Sequence, residues 1–193
     1  MNKAEKTRQF IVEKTAPIFN KKGYAGTSLS DMTEATGLTK GSIYGNFTNK
    51  DEVALAVFDH NWRKVSSLIG LEIDKRSTVK EKLLVYADYD KLLDFPSTGG
   101  CPVLNTAVEA DDTHPGLKKK AHDAFVNWKS RITSLLEEGI RKGEFSKSIN
   151  PEQVALTMIA MIEGSIMIAK LTGKLPYRNA IMVSMRKLID DLS

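Results

Sequence analysis

The chain has 193 residues, 41% of them hydrophobic and 27% charged, with 13 Gly and 6 Pro; this is the composition of one or two globular domains and excludes disordered, collagen-like and fibrous chains. The longest apolar run without a charge, Val154 to Ile162, is far shorter than the roughly 18 residues of a membrane span, and the first residues, Met1 to Arg8, hold no apolar export signal; a cytoplasmic protein away from the membrane is expected. The net charge of +4 sits wholly in residues 1–50, where 8 Lys and Arg face 4 Asp and Glu, while the remainder carries 20 of each: either a module for a polyanion joined to a module with another task, or a solvated basic surface.

Helical periodicity runs along nearly the whole chain and no alternating strand stands out, so the fold is expected to be all-α with about nine helices. The first covers about Lys3 to Lys22, with Ile11, Ile18 and Phe19 on one face and Gly23 past its end; Pro17 should bend or loosen it. Thr27 has the position of an N-cap for a short helix to about Thr36 that Gly37 ends, and Thr39 caps another from Lys40 to about Phe47. Asn49 caps a long fourth helix carrying Ala54, Phe58, Trp62, Val65 and Ile69. Thr78-Val79-Lys80-Glu81 fits a capping box opening a helix with Val79, Leu83, Tyr86 and Leu93 inward, and Phe95-Pro96-Ser97-Thr98-Gly99-Gly100 is the clearest loop. A short helix from about Cys101 to Ala110 precedes a long one from Pro115 to Lys142, whose inward stripe reads Ala121, Phe125, Trp128, Ile132, Leu135. Asn150-Pro151-Glu152-Gln153 starts a helix running to about Thr172, and a last one covers about Tyr177 to Leu192.

Residues 27 to 47 carry the most specific pattern. Two short capped helices separated by Gly37, anchored by Met32, Leu38, Ile43 and Phe47, have the spacing of a helix-turn-helix, in which the second helix enters a major groove. It offers Thr39, Lys40, Ser42, Tyr44 and Asn46. Gly41 and Gly45 each weaken such a helix by roughly 1 kcal/mol relative to Ala, and close approach of backbone to DNA gives a reason for them.

The residues Thr27-Ser28-Leu29-Ser30-Asp31-Met32, Thr36-Gly37-Leu38-Thr39-Lys40-Gly41-Ser42-Ile43-Tyr44-Gly45-Asn46-Phe47 and Asn49-Lys50-Asp51-Glu52, with Phe19 and Gly23-Tyr24 before them, resemble the N-terminal signature of the TetR family of transcriptional regulators. The resemblance covers about residues 5 to 60. It implies a dimeric repressor with a three-helix DNA-binding domain, here residues 1–48, and a helical ligand-binding and dimerisation domain, residues 49–193, joined through the fourth helix. It further implies phosphate contacts from Thr27, Ser28 and Lys50, base-edge contacts from Lys40, Gly41 and Ser42, and a backbone contact from Tyr44. Among these Lys40 is the best reader of bases, because lysine donates to the acceptors of guanine in the major groove. The partners so implied are a double-stranded operator, a small-molecule inducer and a second copy of the chain.

The family's ligand cavity lies among the fourth to seventh helices, where Phe58, His60, Trp62, Tyr86, Tyr89, Cys101, Asn105, Phe125 and Trp128 mix aromatic and polar groups as a pocket for a lipophilic molecule would; plain core packing is the competing reading of each. Asp111, Asp112, His114 and His122 resemble a metal cluster only as well as they resemble a polar turn, so no metal or other cofactor is expected. No nucleophile elbow or phosphate loop is present, so an enzyme is not expected. Cys101, the one cysteine, allows no internal disulfide; at a helix start it leaves a thiol-based sensor open. A helical small-molecule-binding protein without DNA recognition is the other alternative.

The helix after Asn150 is apolar on two adjacent stripes, Val154, Met158, Met161, Ser165 and Ala155, Ile159, Ile162, Ile166, where a surface helix needs one. With Ile181, Met185, Leu188 and Leu192 of the last helix it is expected to form a homodimer interface. Val154, Met158, Met161, Ile162, Ile181, Met185 and Leu188 are the interface residues so expected.

Overall fold

The computed structural model describes residues 2–88 and 99–193 and, among them, nine helices and no strand. These are α1 (Lys3–Gly26), α2 (Leu29–Thr36), α3 (Lys40–Tyr44), α4 (Lys50–Asp74), α5 (Val79–Ala87), α6 (Pro102–Ala110), α7 (Pro115–Lys142), α8 (Pro151–Thr172) and α9 (Leu175–Asp190). The described residues form two compact units, residues 2–64 with 99–123 and residues 65–88 with 124–193, so α4 and α7 each contribute to both. Leu93 and residues 95–98 of the expected loop lie outside the described residues.

In the first unit α1 buries Ile11, Val12, Ala16 and Phe19, α2 buries Met32 and α3 buries Ile43, with Phe47 and Val53, Ala54, Val57 and Phe58 of α4 completing the core. Three local expectations need correction. Pro17 sits in α1 without a departure from helical dihedrals; the break falls at Gly23, with φ +75° and ψ 179°, a conformation essentially confined to glycine. The cap of α2 is Ser28, not Thr27: the Ser28 hydroxyl accepts from the Asp31 N–H at 3.1 Å and the Asp31 carboxylate accepts from the Ser28 N–H at 2.8 Å. This reciprocal pair satisfies two donors that a helix start otherwise leaves open. Third, α3 ends at Tyr44 rather than near Phe47, capped by Thr39, whose hydroxyl accepts from the Ser42 N–H.

In the second unit the Thr78 cap of α5 is reinforced by Glu144, whose carboxylate accepts from the Val79 and Lys80 N–H groups at 2.8 and 3.1 Å. Along α7 the buried apolar side chains are Leu117, Ala121, Ala124, Trp128, Ile132 and Leu136, so the helix turns its small Ala124 inward and leaves Phe125 and Leu135 half-buried. Asn150 caps α8 as expected, accepting from the Gln153 N–H at 3.1 Å. On α8 both apolar stripes face the protomer's own core: Ala155, Met158, Ile159, Ile162, Ser165 and Ile166 are buried, as are Met182, Met185, Ile189 and Leu192 at the α9 end. The expectation that Met158, Ile162 and Met185 form a dimer face is therefore corrected, since a single chain already covers them to 1% exposure or less. Val154, Met161, Ile181 and Leu188 stay half-buried. The exposed apolar residues of α8 are instead Leu156, Met167 and Leu171. With apolar residues on its inner and outer faces, α8 is long and apolar enough, by length and composition only, to cross a membrane, which the run from Val154 to Ile162 alone does not suggest.

Candidate nucleic-acid interface

The α2–Gly37–α3 segment presents a polar surface over an apolar core. Gly37 takes φ +68° and closes α2, its N–H donating to the Thr33 carbonyl at 2.8 Å; this left-handed cap lets the chain reverse into α3. Met32 and Ile43 are fully buried beneath the turn. Ser28, Thr39, Lys40 and Gly41 are exposed; Ser42, Tyr44, Asn46 and Lys50 are half-buried. Eight of the nine expected contact residues thus keep accessible surface in one unit. The ninth, Thr27, does not: it is fully buried and its hydroxyl donates to the Gly23 carbonyl at 2.7 Å, so its side chain is unavailable to phosphate. Asn46 turns its amide N–H back to the Ser42 carbonyl at 2.9 Å.

Charged side chains that spacing alone does not reveal hold this surface in place. Arg8 of α1 lays its guanidinium over the Phe47 ring at 4.0 Å, donates to the Asn46 carbonyl and pairs with Glu52 at 2.8 Å. Glu52 in turn accepts from the Thr48 N–H, and Asn49 caps α4 by accepting from the Glu52 N–H. The turn leaving α3 is therefore tied to both flanking long helices. The Thr48 N–H and Arg8 hold the Glu52 carboxyl below the usual carboxylate range. On α2, Lys22 and the Ser28 N–H bring Asp31 down to about 2, so the capping pair keeps its charge except in strong acid.

A second cluster supports Lys50. Its ammonium lies 4.5 Å from the centre of the Tyr24 ring, a cation–π contact. Tyr24 donates its hydroxyl to Asp51, which with burial pushes the phenol up to about 12, and meets the His114 ring edge-on at 4.7 Å. His114 also caps α7, its Nδ1 accepting from the Leu117 N–H. No group of three potential metal ligands occurs among the described residues.

The expected ligand residues are spread over both units. In the first, Phe58 and Asn105 line a cavity of about 30 Å³ together with Phe19, Tyr24, Asn61 and Glu109, room for about two water molecules. Trp62 and His60 are half-buried, and burial lowers the His60 imidazole below its usual range. Cys101 precedes α6 and is 5% exposed, without a side-chain capping bond. In the second unit Tyr86 and Trp128 are buried and Phe125 is half-buried. The Tyr86 hydroxyl has no hydrogen-bond partner among the described residues and is pushed up to about 12 by burial. Tyr89 lies outside the described residues.

Comparison with known proteins agrees with this geometry. The family described as bacterial regulatory proteins, tetR family, matches residues 11–57, and the tetracyclin repressor-like C-terminal domain matches residues 82–185. A TetR-family transcriptional regulator from Cytophaga hutchinsonii has a solved structure 46% identical, covering 100% of this chain and 98% of that one with a TM-score of 0.96. The HTH-type transcriptional regulator TtgR of Pseudomonas putida is 29% identical over 84% of this chain and 80% of its own length. The HTH-type transcriptional repressor DhaR of a Mycobacterium strain is 25% identical over 85% and 82%.

Proposed function

Because this chain belongs to the TetR family of transcriptional regulators, we propose that it is a homodimeric repressor that leaves a palindromic operator when a small lipophilic ligand binds. The observation that carries this reading is the capped α2–Gly37–α3 pair with Thr39, Lys40 and Gly41 exposed at the start of α3. In this reading residues 1–48, with Lys50 at the start of α4, contact DNA: Lys40 and Ser42 face base edges, while Ser28, Tyr44 and Lys50 meet phosphate. Residues 49–193 bind ligand and partner, and α4, which starts at Lys50 and continues to Asp74, connects the two tasks. A ligand that prefers a conformation with wrongly spaced α3 helices shifts the population away from the operator.

The partner is a second copy, and the surface it covers is the outer face of α8, Leu156, Met167 and Leu171, with Val183 of α9; the last three are each about half or more exposed. The orphan Tyr86 hydroxyl favours a ligand that offers an acceptor, because an unmet buried donor costs roughly 1–3 kcal/mol. A relative named as a repressor supports repression over activation. Burial of Cys101 lends no support to thiol sensing.

The test is to enrich duplexes from a randomised pool on the protein and titrate the enriched and a scrambled duplex by fluorescence anisotropy across a salt series. The expected result is a preference of about 1,000-fold or more with a steep salt slope. No enriched sequence, as for a carrier without DNA recognition, overturns the reading.

A further inference from the structure

The end of α1 is clasped from outside by α6 and the residues that precede it. The Glu109 carboxylate of α6 lies across the break in α1, one oxygen accepting from the Tyr24 N–H at 2.7 Å and the other from the Ala25 N–H at 2.8 Å. Gly23 makes this approach possible: a Cβ there would stand 2.5 Å from one carboxylate oxygen and 2.6 Å from the other. One turn earlier, the Asn105 amide donates to the Asn20 carbonyl at 3.0 Å and the Gly99 carbonyl at 2.9 Å, and the Asn20 amide donates to the Gly100 carbonyl at 2.9 Å. Gly99, at φ +90°, brings its backbone so near that a Cβ would stand 2.9 Å from the Asn20 carbonyl oxygen.

The residues under the clasp lead directly into the helix-turn-helix. Past Ala25 the Thr27 hydroxyl returns to the Gly23 carbonyl and its N–H to the Tyr24 carbonyl, and Ser28 then caps α2. Tyr24 carries Lys50 on its ring. One carboxylate therefore sits on the segment that sets both Ser28 and Lys50.

We propose that Glu109 is a positioning residue for DNA recognition, its carboxylate closing on the Tyr24 and Ala25 N–H groups at the Gly23 break to set the turn that seats Ser28 and α2. A charged acceptor shared by two main-chain donors is short and directional, and its loss frees the turn without removing any group that touches DNA. The proposal rests on the regulator reading above.

The experiment compares wild type with Glu109→Gln and Glu109→Asp on the enriched and scrambled duplexes, alongside thermal unfolding and hydrogen exchange at the Tyr24 and Ala25 amides. Gln keeps the shape but not the charge, and Asp keeps the charge at shorter reach. The expected result for Glu109→Gln is faster exchange at those two amides and affinity lower by about tenfold, the scale of one charge-assisted hydrogen bond, on enriched and scrambled duplexes alike, because Ser28 and Lys50 meet phosphate, with Tm unchanged. Glu109→Asp should recover part of the lost affinity. A loss of affinity in step with a lower Tm makes Glu109 a stabilising contact and overturns the proposal, as does wild-type affinity in Glu109→Gln. A wild-type protein that enriches no duplex refutes the regulator reading, and with it the role assigned to Glu109.

Discussion

Ile162→Ala and Leu171→Ala remove similar apolar groups from opposite sides of α8, since nine residues at 100° each place them half a turn apart. Ile162 is 1% exposed, among Met158, Met185 and Ile189 that are fully buried; Leu171 is 80% exposed. Truncating the first leaves a cavity in the protomer and should cost about 3 kcal/mol of unfolding free energy, a Tm drop of about 10 °C for a chain of this size. Truncating the second costs an isolated protomer less than about 0.5 kcal/mol. In a symmetric dimer, however, it removes about 1.5 kcal/mol of burial on each side, weakening association by about 100-fold. Sedimentation equilibrium over a dilution series reads the association constant, and urea unfolding below the dissociation range reads the protomer alone. The assignment of the two faces is refuted if Ile162→Ala dissociates the dimer at unchanged protomer stability, or if Leu171→Ala leaves the association constant where it was.

Lys40→Ala should lower affinity for the enriched duplex by about 1–3 kcal/mol and relax its sequence preference. Lys50→Ala should weaken enriched and scrambled duplexes alike and flatten the salt slope by about one; anisotropy titrations distinguish the two patterns. Asp31 should titrate by carboxyl NMR near pH 2, and Lys22→Ala should bring it back toward 3.8. Its folded value is depressed, so the stability it contributes is present above the unfolded value and is lost as the pH falls through about 2.

Helix starts were legible because their chemistry is local. Thr39, Asn49, Thr78 and Asn150 each accept from the N–H three residues on, and a side chain reaching three residues leaves its mark in sequence spacing. At Thr27-Ser28 two hydroxyls competed, and the acidic residue three places on decided it: Asp31 completes a reciprocal pair with Ser28, whereas Thr27 has Ser30 at that place. The inward phase of α7 was not legible, because Ala124-Phe125 and Leu135-Leu136 offer apolar residues at two phases and tertiary packing chose between them. The same holds for α8, whose apolar residues surround it, so that nothing local separates the face covered by α9 from the face left exposed. Glu109 on the Tyr24 and Ala25 N–H groups joins residues 84 and 85 positions apart, beyond any periodicity argument.

The shortness of α3 limits how much sequence the protein reads. Five residues rising 1.5 Å each span about 7.5 Å, the height of about two base-pair steps. Two copies, as in the proposed dimer, therefore address about four base pairs directly, and a word of four bases recurs about once in 250 positions, against the roughly 10⁶ or more competing sites of a genome. The missing information has to come from geometry: the separation between the two α3 helices acts as a ruler, and the bendability of the base pairs between them acts as a second alphabet that no side chain touches.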